Sequence, residues 1–177
     1  MTRESLPVLD LKPDCERCCG LCCVAPAFVK SSDFAITKPP GRPCPKLTTD
    51  FRCSIHSRLR AEGFPGCVAY DCFGAGQKVT QVAYGGHTWR DSPKIAAEMF
   101  DVFGVMQQLH SMLTYLTEAL ELRGSEPFRD TVRRKVAEMD NLSMGTPEQI
   151  LAVDMASQRR AVGELLDEVS RLVRSVP

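Results

Sequence analysis

Apolar positions recur every three or four residues through the second half of the chain, the spacing that gives an α-helix one buried face. Ser92-Pro93 supplies an N-cap and a proline at the first helical position, and Met99, Val102, Phe103, Met106, Leu109, Leu113, Leu116 and Leu120 follow. This predicts one long helix to about Leu122. Gly124-Ser125 breaks it, and Pro127, Phe128, Val132, Val136 and Met139 predict a shorter helix. Thr146-Pro147-Glu148-Gln149 reads as a capping box that opens a last helix carrying Leu151, Met155, Val162, Leu165, Val169, Leu172 and Val176. Three such helices can pack as an antiparallel bundle with the stripes as its core; the alternative is that the stripes face a dimer or a protein partner.

The first half follows a different pattern. Sixteen of the 24 Gly and Pro residues and all nine cysteines precede residue 92. Val79 to Tyr84 alternates weakly and ends at Gly85-Gly86, which predicts a small strand, and Gly74-Ala-Gly-Gln77 before it predicts a turn or short hairpin. The expected fold is mainly α with little β: a loop-rich cysteine module over 1–91, then a helical region over 92–177, the two packed as one unit.

Composition narrows the classes of function. The chain has 177 residues, 22 basic against 22 acidic, with 44% hydrophobic and 25% charged, which describes a globular protein. Its halves carry net charges of about +3 and −3, too little to mark a nucleic-acid or acidic membrane surface. Met1 to Asp14 holds Arg3, Glu4, Asp10, Lys12 and Asp14 with no signal-like apolar stretch, and no run of about 18 apolar residues occurs, so a cytoplasmic protein is expected.

In a reducing compartment, nine cysteines point to metal or redox chemistry rather than to a disulfide framework. Five of them form Cys15-Glu-Arg-Cys18-Cys19-Gly-Leu-Cys22-Cys23, and Cys44, Cys53, Cys67 and Cys72 follow. On a continuous helix the five thiols would share one face and span about 12 Å, too far for one ion at about 2.3 Å per Zn–S bond. A chain looped around Gly20 would instead wrap the doublets about a compact centre. All nine are candidate ligands: eight would fill two four-cysteine sites with one left over, and a single four-iron cluster would use four. His56, three residues past Cys53, is a candidate ligand, a donor to a thiolate or an ordinary surface or capping histidine, and Arg52, Arg58 and Arg60 either compensate thiolate charge or face solvent.

Other chemistry finds little support. Cys15, Cys19 and Cys22 match the C-x3-C-x2-C spacing of radical S-adenosylmethionine enzymes, but the helical second half leaves no room for their barrel. Gly74-Ala-Gly76 lacks the Gly-Lys-Ser/Thr of a phosphate loop. No Ser-His-Asp set, paired acid-base carboxylates or HExxH can be picked out, so catalysis here would work through a metal.

The cysteine pattern resembles the YkgJ-like cysteine-cluster family, the zinc- or iron-chelating CxxCxxCC domain. The matching residues are Cys15, Cys18, Cys22 and Cys23; Gly41-Arg-Pro-Cys44-Pro-Lys-Leu47; Cys53-Ser-Ile55-His56; Gly66-Cys67; and Tyr70-Asp-Cys72-Phe73. Two features depart from it. Cys18 and Cys19 compete for one position, and Phe64-Pro65-Gly66 stands where the family has Arg-Pro. The segment from Gly74 to Leu122, with Gly85-Gly86-His87-Thr-Trp89 and Gln-Leu-His110, is also similar to the N-terminal region of actinobacterial proteins described by pentapeptide repeats, which this chain lacks. The resemblance implies metal chelation. A similar flagellin lysine methylase tilts the expected cofactor toward an iron-sulfur cluster, with zinc as the other choice. The function expected from this is redox or electron transfer; the alternatives are a structural zinc module that positions helices for a protein partner, and an enzyme subunit with an open metal site.

Overall fold

The structure is a computed structural model that describes residues 9–175. The expectations about residues 1–8, including Arg3 and Glu4, and about Val176 lie outside the described residues. The elements in chain order are α1 (Leu21–Val24), α2 (Pro65–Ala69), α3 (Ala75–Lys78), α4 (Pro93–Glu121), α5 (Arg129–Ser143), α6 (Pro147–Leu151) and α7 (Met155–Ser175), with short 3-10 turns at Cys15–Arg17, His56–Arg58 and Glu126–Phe128. The fold is mainly helical. Among the described residues extended pairing is limited to two isolated bridges, Phe28 with Lys38 and Leu47 with Cys53.

Helix α4 is the axis. Ser92 caps it, its hydroxyl accepting from Ile95 N–H at 3.1 Å, and Pro93 occupies the first turn. Beyond the Gly124 break, α5 folds back along α4, so that Val132, Val136 and Met139 bury against Leu113, Leu116 and Leu120. The Thr146 and Gln149 side chains form the expected reciprocal capping box at α6. Val162, Leu165 and Val169 of α7 complete this core. The opposite half of α4 serves the cysteine segment: Met99, Val102, Phe103 and Met106 bury with Cys19, Leu21, Val24, Ala75 and Val79. One helix therefore supplies two cores. No helix among the described residues is long and apolar enough to cross a membrane.

Three local expectations are corrected. Val79–Ala83 is a π-helical turn continuing α3, not a strand: Tyr84 N–H bonds the Val79 carbonyl at 3.0 Å and Gly86 N–H the Thr80 carbonyl at 2.8 Å. Val79 and Thr80 are buried side by side, which alternation does not allow and a helical turn does. Gly74-Ala-Gly-Gln77 is neither a turn nor a hairpin but the start of α3, with Gly74 left-handed at φ 78° as its N-cap. The last helix is two helices, because Asp154 begins a new one by accepting from Ser157 N–H at 3.0 Å.

Candidate metal centre

The first cysteine segment is looped rather than helical throughout. Asp14 accepts from Glu16 N–H at 2.9 Å and starts the turn Cys15–Arg17, and Gly20 at φ 75° reverses the chain into α1. Any Cβ at residue 20 would lie 2.9 Å from Leu47 Cδ1 and 3.2 Å from the Phe51 carbonyl oxygen. Gly20 thus meets both a backbone and a space requirement.

The later cysteines are brought back to this segment by backbone pairing. Cys44 N–H donates to the Cys23 carbonyl at 2.9 Å, and the Leu47–Cys53 bridge with Ser54 N–H to the Lys46 carbonyl at 2.9 Å folds Cys53 beside Cys44. Cys67 lies on α2, and Cys72 precedes Phe73 and Gly74, both left-handed, the Cys72 carbonyl accepting from Ala75 N–H at 2.9 Å. All nine cysteines are free thiols.

Cys22 is the electrostatic hub of the group. Its thiol is pushed well up by a hydrogen bond with the Cys23 thiol and then by burial. Its charge in turn raises Cys15, Cys18, Cys53, Cys67 and Cys72, each of which is raised first by burial. Burial takes Cys18 to about 12 and Cys67 to about 11. Cys44 joins through its effect on Cys53 and Cys67. Such crowding of thiols repels negative charge unless a cation is present to reverse the sign of the interaction.

Cys19 is the most enclosed of the nine thiols, and its charge raises Cys18 ahead of that of Cys22. It is 1% exposed, its Sγ lies 3.7 Å from Met99 Sδ and accepts from the Thr80 hydroxyl at 3.4 Å, and its N–H donates to Thr80 Oγ1 at 3.2 Å. Trp89 Nε1 donates to the Cys19 carbonyl at 2.9 Å, while its ring faces Phe51 and Phe100. Arg90 stacks on Phe51 and Trp89 and binds the Thr48 and Thr49 carbonyls, latching the loop before Cys53 to the start of α4. His87, in contrast, pairs with Asp91 on the surface at 3.0 Å.

The surroundings test whether an anionic, thiolate-held centre suits the site. Backbone N–H groups of Gly20 and Leu21 draw the Cys18 thiol down, those of Gly74 and Gly76 do so at Cys72, and that of Ile55 at Cys53. N–H groups aimed at sulfur stabilise thiolate. Arg52 has a buried Nη1 without a partner among the described residues, and its charge lowers Cys15. Lys38 is 4% exposed, its Nζ held by the carbonyls of Val24, Pro26 and Pro39. Burial lowers its ammonium and the charges of Cys44 and Cys23 oppose that. An orphaned guanidinium donor and a buried ammonium beside crowded thiols fit an anionic group. As they stand, however, no three His, Cys, Asp or Glu side chains among the described residues are arranged to hold a metal ion. A metal would have to draw the sulfurs inward.

Sequence reasoning singled out Arg52 but missed Lys38, which carried no motif signal, and the Thr80–Met99 pocket of Cys19, which exists only across elements. Arg58 pairs with Glu62 at 3.6 Å, and Arg60 and His56 are exposed, His56 on the turn that follows Cys53.

No family model matches the chain, and no solved structure matches it. The chain is similar to the uncharacterized protein YybG of Bacillus subtilis (strain 168), 48% identical over 166 residues, which cover 94% of this chain and 60% of YybG. It therefore spans about three fifths of the length of that relative.

Proposed function

We propose that the protein holds a metal centre through the thiols gathered about Cys22, an iron-sulfur cluster in preference to zinc, and uses it for redox or electron transfer. The observation that carries this reading is the hub itself: Cys15, Cys18, Cys23, Cys53, Cys67 and Cys72 all interact with Cys22, and Cys44 sits beside Cys53. With Cys19 turned into the core, eight thiols are left, the number for two four-cysteine sites. Membership of the YkgJ-like family belongs to the same reading. A bound cluster would supply one-electron chemistry, while Arg52, Lys38 and the backbone N–H groups would balance its negative charge. Nine free thiols suit a reducing compartment, the cytoplasm.

A structural zinc module is the second reading, favoured by one observation. The buried side chains beside Cys19 and Cys22 include Met99, Val102 and Phe103 of α4, so an ion that fixed the loops would also fix the helices presented to a protein partner. Iron, zinc and acid-labile sulfide, measured with the visible spectrum on protein purified without oxygen, separate the two. Iron with equivalent sulfide supports the cluster, zinc without colour supports the structural module, and protein free of both metals rejects the proposal.

A further inference from the structure

A recess of about 20 Å³ lies between the first cysteine segment, α3 and α4. Cys15, Cys18, Cys22 and Cys72 line it together with Gly76 and Gln77, and none of the other five cysteines does. Two of the sulfurs meet at the bare face of α3. Cys18 Sγ lies 2.6 Å from where a Cβ on Gly76 would stand, and the Cys72 thiol is drawn down by the N–H groups of Gly76 and Gly74. Charge on Cys72 raises Cys15, and charge on Cys22 raises Cys15, Cys18 and Cys72, so the four thiols are mutual neighbours.

Gln77 fixes the wall that carries Cys15. It is 2% exposed, its Nε2 donates to the Lys12 carbonyl at 2.7 Å, and its Oε1 accepts from Asp14 N–H at 3.1 Å. Both ends of one buried amide thus clamp the chain leading into Cys15, the exposed member of the four. The remaining thiols gather on a different base. Cys53 and Cys67 pack on Ile55, Leu59 and Phe64, whereas Cys18, Cys22 and Cys72 pack on the core shared by α3 and α4. Cys44 N–H bonds the Cys23 carbonyl at 2.9 Å, and Cys22 and Cys23 are successive residues of α1, whose side chains leave the axis about 100° apart.

We propose that Cys15, Cys18, Cys22 and Cys72 form a single-ion site in this recess, separate from a second thiolate set of Cys23, Cys44, Cys53 and Cys67. This assignment rests on the metal centre proposed above and gives its nuclearity. The recess has room for about one water-sized body. Four thiolates at about 2.3 Å from one tetrahedral ion close around that space, whereas the eight atoms of a four-iron cluster do not fit it. A cluster is thereby left to the second set. The N–H groups of Gly74 and Gly76 would offset part of the charge of the four-thiolate site.

The test is titration of the metal-free, reduced full chain with cobalt(II), whose visible spectrum reports tetrahedral thiolate ligation, with bound cobalt counted by metal analysis. The variants are Cys15→Ser, Cys72→Ser, their double, Cys67→Ser and Gln77→Leu. Cys22, hydrogen-bonded to Cys23, joins the two sets and is left intact. The parent is expected to bind two equivalents. Cys15→Ser and Cys72→Ser should each lose one equivalent or bind it at least about tenfold more weakly, the double should lose no more than that one, and Gln77→Leu should weaken the same equivalent by about tenfold. Cys67→Ser should keep it. Because Cys15 is exposed, its loss reports ligation rather than packing, and circular dichroism verifies that each variant folds. Two equivalents retained in both Cys15→Ser and Cys72→Ser would overturn the recess site. A single equivalent in the parent, lost alike in Cys72→Ser and Cys67→Ser, would replace two sites by one. No cobalt on the parent would reject the metal centre itself.

Discussion

The sulfur of Cys18 occupies the space that a side chain at residue 76 would need: a Cβ on Gly76 would lie 2.6 Å from Cys18 Sγ. Gly76 is buried in α3, so the bare backbone face of that helix is what allows the first cysteine segment to approach it. Gly76→Ala is expected to displace Cys18 and cost about 1–3 kcal/mol by overpacking. The check is denaturant unfolding of Gly76→Ala and of Gly76→Ala with Cys18→Ala. The second change should recover part of the loss, and strict additivity would show that the two sites are not in contact.

Cys19 and Cys22 should respond in opposite ways to substitution. Cys22→Ser removes the hub and is expected to abolish bound metal. Cys19→Ala removes a sulfur packed on Met99 Sδ and is expected to leave metal content unchanged while costing about 1–2 kcal/mol of stability through the small cavity. Metal analysis of both variants with their unfolding curves provides the check. Loss of metal from Cys19→Ala would return Cys19 to the ligands.

Metal removal is expected to loosen the cysteine loops before the bundle. The segment around Cys44, Cys53 and Cys67 has a small apolar cluster of its own, Ile55, Leu59 and Phe64, whereas α5 and α7 bury a dozen side chains with α4. Limited proteolysis after chelation should cut first between residues 26 and 64 and leave 129–175 protected. Simultaneous cutting of both regions would mean that the two cores unfold as one.

Burial holds the His110 imidazole below its ordinary value of 6.5, with the Phe73 carbonyl opposing. The unfolded chain therefore binds the proton more tightly, and the His110 contribution to stability is complete above about pH 6.5. It is lost as pH falls through the lower folded value. Unfolding free energy measured across this range should decline toward acid, and His110→Gln should flatten the decline. An unchanged slope in the variant would assign it to other groups.

Much of the helical half was legible because its signals are local. Ser92-Pro93, the Gly124 break and the Thr146–Gln149 box each act within one turn of chain, and the apolar stripe of α4 buries the side chains that its period selects. The break before α7 was equally local, since Asp154 is an N-cap residue, but the continuing apolar spacing from Leu151 to Met155 masked it. Val79–Ala83 misled because weak alternation resembles a strand. Its helical form follows from contacts elsewhere: Thr80 binds Cys19, and Val79 joins the core with Met99.

The sequence by itself determined the helices after residue 92, apart from the break at Asp154, and the clustering of thiols before residue 73, because residue type, spacing and caps operate over a few residues. It did not separate Cys18 from Cys19, adjacent residues with the same chemistry. That division was made by the tertiary structure: Gly20 turns the chain, Thr80, Trp89 and Met99 enclose Cys19, and Gly76 opens space for Cys18. Lys38, Arg52 and His110 acquired their roles in the same way, since burial and the absence or presence of a partner depend on what packs from distant parts of the chain.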